Sequence, residues 1–125
     1  MGFNEQIVQE AYAAFGQGDI KSVLDLLTDD VEWHSPRTLP HGGVFHGKAD
    51  VGRFFEGLAD AWDSLDLTIE TVSEIGPESV VGVLRADGVR QNKQAGGYGA
   101  VHVFTVRDGS ISRFREYTDV DVALA

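Results

Sequence analysis

The chain has 125 residues, 42% of them apolar, with 20 acidic residues against ten Lys and Arg for a formal charge of −10. A domain of this size buries roughly two-thirds of its unfolded surface without covalent staples. The lack of any cysteine excludes thiol catalysis, disulfides and thiolate zinc sites, and the negative charge argues against nucleic acid and anionic lipid as partners. Met1 to Glu10 carries no basic region followed by an apolar run, and no stretch approaches the roughly 20 apolar residues that a membrane helix needs. The expectation is one domain over 1–125 in a reducing cytoplasm.

Phe3, Ile7, Val8, Ala11, Ala14 and Phe15 recur at helical spacing until Gly16 and Gly18 stop the pattern, which predicts a first helix from Phe3 to Phe15. Asp19 is a natural N-cap for a second, short helix with Ile20, Val23, Leu24 and Leu27 on one stripe. Val31 to Ser35 alternates Val31 and Trp33 against Glu32 and His34, a half-buried strand ended by Pro36. Arg37 to Gly47 is rich in glycine and polar residues and predicts a loop, with a tight turn at Gly42-Gly43. Val51, Phe54, Phe55, Leu58, Ala59 and Trp62 form the aromatic face of a third helix.

The remainder predicts sheet. Leu65, Leu67 and Ile69 alternate with polar residues, a Gly76-Pro77 turn follows, and Val80 to Val89 and Val101 to Val106 are rich in β-branched residues. Asp108-Gly109 marks a hairpin into Ile111 to Thr118. Helices first and antiparallel sheet second is an α+β layout.

Several segments, in this order, resemble the nuclear transport factor two superfamily and its SnoaL-like, ketosteroid-isomerase-related members. They are Tyr12-Ala13-Ala14-Phe15 with Gly18-Asp19, Asp29-Asp30-Val31-Glu32-Trp33, Gly43-Val44-Phe45-His46-Gly47, and His102 to Gly109 leading to Phe114-Arg115-Glu116-Tyr117-Thr118-Asp119. The resemblance covers nearly the whole chain. It implies a cystatin-like cone, a curved antiparallel sheet packed against three N-terminal helices around a pocket, with the outer sheet face often used for dimerisation. Because this fold hosts enzymes and non-catalytic modules alike, function must come from the residues.

Ketosteroid isomerases use a tyrosine, a protonated aspartate and a second aspartate as base. Alignment on the resemblance puts Ala11, His102 and Ser35 at those positions, which argues against that mechanism. Against the limonene epoxide hydrolase branch, Arg85 and Asp87 fall on its Arg-x-Asp pair and Glu116 on its second carboxylate, while Trp33 and Ser35 replace its water-positioning tyrosine and asparagine. Alternation along strands places Val83, Arg85 and Asp87 on one face, His102, Phe104 and Val106 on one face, and Phe114 and Glu116 on one face. If those faces line the cone, Arg85, Asp87, His102 and Glu116 form an acid-base site walled by Trp33, Ser35, Phe54, Phe104 and Phe114.

Each has a plainer reading. Arg85 and Asp87 also fit a surface ion pair, Glu116 a cross-strand contact with Arg85 or Arg113, and His102 a hydrogen-bonded core histidine. Phe15, Phe55 and Trp62 read as core aromatics. His34, His41 and His46 match no metal spacing and read as solvated loop imidazoles. Neither a metal nor an organic cofactor is implied, since glycine-rich phosphate loops are also missing.

Three functions fit. The first is acid-base chemistry (isomerisation, cyclisation, or hydration of a carbonyl or epoxide) on a small apolar oxygenated metabolite. The second is a non-catalytic ligand-binding or dimerisation module. The third is an assembly factor working through Arg113, Arg115 and Tyr117. A homodimer through the sheet is expected, because its second face carries Val101, Val103, Ile111 and Tyr117.

Overall fold

The computed structural model describes residues 2–119; Met1 and residues 120–125, the two ends of the expected domain, lie outside the described residues. Three helices, α1 (Phe3–Gly16), α2 (Ile20–Asp25) and α3 (Lys48–Ala61), accompany six strands, β1 (Leu27–Ser35), β2 (Gly43–His46), β3 (Trp62–Ile75), β4 (Ser79–Arg90), β5 (Ala95–Arg107) and β6 (Ser110–Thr118). The strands form one sheet in the order β2-β1-β6-β5-β4-β3. Neighbours are antiparallel except β1 and β6, which run parallel because the α3-to-β5 segment intervenes between them.

The helices form where the apolar period required. Asp19 caps α2, its Oδ1 accepting from the Ser22 amide at 3.2 Å and its Oδ2 from the Ser22 hydroxyl at 2.6 Å. The α1 stripe buries Ile7, Val8 and Ala11, but Phe3, expected on it, is 64% exposed at the helix start. Asp108 (φ 53°) and Gly109 (φ 81°) both occupy the left-handed region, as a two-residue hairpin turn demands. Register shifts at Ile69/Thr71 and Thr105/Val106 mark bulges, the device by which strands bend into a curved sheet.

Three features differ from expectation, the first being Trp62, which was expected on α3 but begins β3 in extended backbone (φ −126°, ψ 131°). Leu27 belongs to β1, not α2: its side chain is buried in strand geometry opposite Ile111. The segment expected as loop contains β2, which pairs with β1 from Glu32↔His46 to Ser35↔Gly43. Before it the chain makes two tight turns, closed by Leu39 N–H on the Pro36 carbonyl and Gly42 N–H on the Leu39 carbonyl. A Cβ on Gly42 would collide with the Pro36 carbonyl, so glycine is what allows this segment to fold back on itself.

The core lies between the helices and the concave sheet face, with Val8, Val31, Val51, Val80, Leu84, Val106 and Ile111 fully enclosed. No helix among the described residues is long and apolar enough to cross a membrane.

Candidate active site

A cavity of about 70 Å³ opens within this core, room for several waters or the functional end of a small molecule. Its walls are α1 (Ala11, Tyr12, Phe15), α3 (Phe54, Phe55, Leu58), β1 (Trp33), β3 (Leu65, Leu67) and the concave residues Tyr98, His102, Phe104, Phe114 and Glu116, closed by Val23 and by His41 from the β1–β2 connection. A second hollow of about 300 Å³ shares Tyr12, Phe15, Leu65 and Leu67 with it. Trp33 stacks on Phe114 with centroids 4.0 Å apart, and Phe114 meets the His102 ring edge-on at 4.7 Å.

Across this apolar wall runs a polar chain. The Tyr12 hydroxyl lies 2.8 Å from His102 Nδ1, and His102 Nε2 lies 2.9 Å from Glu116 Oε2. The Ser35 hydroxyl donates to Glu116 Oε1. Nε2–H donates to an ionised Glu116 and Ser35 to its other oxygen, while Nδ1 accepts from the Tyr12 O–H or, on a protonated ring, donates to the Tyr12 oxygen. Burial pushes the Glu116 carboxyl up, but the hydrogen bond and charge of His102, with the Ser35 bond, outweigh it and hold the group below its ordinary value. Burial, reinforced by the charge of Glu116, pushes the Tyr12 phenol up, so it keeps its proton.

His102 and Glu116 are cross-strand partners, and Gly82 lies opposite His102 on the other side. A Cβ on Gly82 would collide with the Tyr12 hydroxyl; the missing side chain is what lets α1 bring Tyr12 down to His102.

Three further donors face the cavity region. His41 Nδ1 accepts from Trp62 Nε1 at 3.1 Å, and burial lowers its pKa, so the ring is neutral with its proton on Nε2. Burial and Glu116 together push the Tyr98 phenol up. Trp33 Nε1 is buried without a partner among the described residues.

The structure brings His102, Glu116, Trp33, Phe54, Phe104 and Phe114 together at the cavity, with Ser35 holding Glu116 from behind. It does not bring Arg85 and Asp87 there. On β4 the concave face belongs to Val80, Gly82, Leu84 and Ala86, so Arg85 and Asp87 point outward, 52% and 61% exposed, as a 3.5 Å surface ion pair. The expected four-group constellation is therefore corrected to one carboxylate and one imidazole, joined by a tyrosine. Nor is His41 a solvated imidazole; it is 6% exposed. Arg85→Ala and Asp87→Ala should each change thermal stability by less than about 1 kcal/mol in denaturant titrations and leave ligand binding unchanged, as exposed pairs do.

Sequence reasoning missed Tyr12, His41 and Tyr98. The available signals were Tyr12 next to Ala11, the position aligned with a catalytic tyrosine, and Gly82 inside an otherwise β-branched strand.

Residues 8–114 match the SnoaL-like domain family, and the chain belongs to it. An uncharacterised protein of Mycobacterium tuberculosis is 30% identical over 112 residues, 89% of this chain and 85% of the relative. A solved NTF2-like protein of unknown function from Burkholderia pseudomallei is 27% identical with a TM-score of 0.88, covering 99% of this chain and 96% of that one. A further Mycobacterium tuberculosis protein, solved in complex with estradiol-17beta-hemisuccinate, is similar at 22% identity and a TM-score of 0.81 over 97% of both chains, a likeness of fold.

Proposed function

We propose that this SnoaL-like protein is an acid-base catalyst of isomerisation or ring closure, acting on a small, uncharged, oxygenated molecule held in the cavity. The observation that carries this reading is the Tyr12–His102–Glu116–Ser35 chain, an ionised carboxylate and an oriented imidazole set into an otherwise apolar wall. Glu116 takes a proton from carbon next to a carbonyl, the C–H electron pair becomes a C=C bond, and the carbonyl oxygen takes the negative charge that Glu116 gives up. Returning that proton at a different carbon isomerises the molecule; attack of the enolate carbon on a second carbonyl closes a ring, and the alkoxide so formed takes the proton back from Glu116. His102, Tyr12 and Ser35 are positioning residues that fix the carboxylate. Because Glu116 is held below its ordinary pKa it is a weak base, which favours substrates whose C–H is acidified by conjugation or a second carbonyl.

The test is deuterium incorporation next to the carbonyl of cyclic ketones and diketones in D2O, followed by NMR with and without protein. Exchange no faster than background across the panel sinks the catalytic reading. In that case the second reading, a binding module, takes its place; the outward Arg85–Asp87 pair favours it, since among the described residues it leaves Glu116 as the one carboxylate lining the cavity.

The outer sheet face supports a homodimer. Val83, Val101 and Tyr117 align in register across three strands, beside Val81 and Val103, and Tyr117 is 49% exposed. Sedimentation at micromolar concentration should give twice the mass of the chain, falling to one copy for Tyr117→Glu with Val103→Glu; a monomeric native protein rejects this.

A further inference from the structure

The cavity contains a donor that the acid-base chain does not use. His41 comes from a turn segment rich in Gly and Pro, where an imidazole is ordinarily solvated, yet its ring is buried edge-on against Phe54 at 5.7 Å and Trp62 at 6.4 Å. The Trp62 indole is donor-only, so its bond to His41 Nδ1 leaves the neutral ring's single proton on Nε2. Trp62 is itself held by the Arg90 guanidinium 5.6 Å over its ring. No hydrogen bond among the described residues takes up this Nε2–H, and unlike Trp33 Nε1 the atom is not fully enclosed, so it stays open to an acceptor that enters. His41 lines the same cavity as Glu116, and none of the lining residues is Lys or Arg.

We propose that His41 is the specificity-determining residue of this cavity: its Nε2–H, directed by the Trp62 bond, holds the uncharged oxygen of the ligand, selecting carbonyl compounds over isosteric hydrocarbons and over carboxylates. The proposal rests on the reading that the cavity holds a small oxygenated molecule. It adds which group recognises the oxygen and which charge the ligand bears. A carboxylate ligand would enter beside the ionised Glu116 with no cation on the wall to offset the repulsion, whereas a ketone brings an acceptor without a charge. Of the other donors, the Tyr98 hydroxyl has no second hydrogen bond among the described residues to fix its direction, and the Trp33 Nε1–H is enclosed beside its stack on Phe114. The Nε2–H of His41 is the one whose direction a second hydrogen bond sets.

The experiment is an NMR titration with indanone, indane and indane carboxylate. The native protein should bind indanone about tenfold more tightly than indane, near the upper range for one neutral hydrogen bond, and the carboxylate at least as weakly as indane. In His41→Phe the ketone preference should collapse while indane still binds, showing an intact cavity. In Trp62→Phe the imidazole nitrogen shifts should move from the pure Nε2–H tautomer toward a mixture, with a partial loss of preference. Should His41→Phe fail to fold, the native protein decides: the His41 Nε2–H resonance should shift with indanone and not with indane. An undiminished ketone preference in His41→Phe, or an Nε2–H resonance indifferent to indanone, overturns the proposal and passes the role to Tyr98 or Trp33. Failure of both indanone and indane to bind the native protein overturns the cavity reading beneath it as well. Binding without deuterium exchange overturns the catalytic reading alone.

Discussion

Phe114→Ala should destabilise the protein by about 3–5 kcal/mol, lowering the melting midpoint by roughly 10–20 °C for a domain of this length. The ring is 4% exposed and lies among three others: stacked on Trp33 at 4.0 Å, edge-on to His102 at 4.7 Å and tilted on Phe104 at 5.2 Å. Truncation removes its burial and merges the space it filled with a cavity already present, so the neighbours have little to collapse onto. His102 loses the face that holds its plane, and ligand binding should weaken along with stability. Phe3→Ala, the same substitution at an exposed helix start, should cost no more than about 0.5 kcal/mol. Equal losses from the two in denaturant titrations would refute this account of the core.

Glu116→Gln should lower the rate of deuterium exchange next to a bound carbonyl by about 10²–10⁴, the usual contribution of a positioned base, with a far smaller effect on binding of an uncharged ketone. The amide keeps the shape and accepts from His102 or Ser35, but it cannot take a proton from carbon. The pH dependence follows from the same group. Its folded pKa lies below the ordinary carboxyl value of 4.5, so its contribution to stability is fully present above that value and is lost as pH falls through the lower folded one. The exchange rate should hold through the mildly acidic range in which free carboxylates protonate, then fall. Unfolding curves of the native protein and Glu116→Gln, compared from neutral pH downward, should converge at the acid end. A gap that widens there would mean Glu116 is neutral in the folded protein.

Much of the site was visible before folding was considered. His102, Glu116, Trp33, Phe54, Phe104 and Phe114 were selected from alternation and resemblance, and they meet at the cavity. Alternation succeeds on β5 and on β6 from Ser112 onward, where Phe104 and Phe114 mark the inner face, but it put Ile111 on the outer face, whereas the register shift at Thr105/Val106 turns that side chain inward, 1% exposed. It misleads on β4, where Val81 and Val83 make the outer face as apolar as the inner one. Period two shows that Arg85 opposes Leu84, but with valines on both faces nothing local says which face meets the helices.

A period or a turn preference acting over a few neighbouring residues was enough to foretell the three helices, five of the six strands, the Asp19 cap and the Asp108-Gly109 hairpin, but not β2, whose strand form comes from pairing with β1. The partners across the core were set by packing. Tyr12 reaches His102 across 90 residues because Gly82 leaves room, and His41 faces inward because Trp62, 21 residues on, supplies a donor. Such contacts are set by how a helix seats on a sheet and how a turn folds over its mouth, and these depend on the packing of the whole core, which no local window of sequence contains.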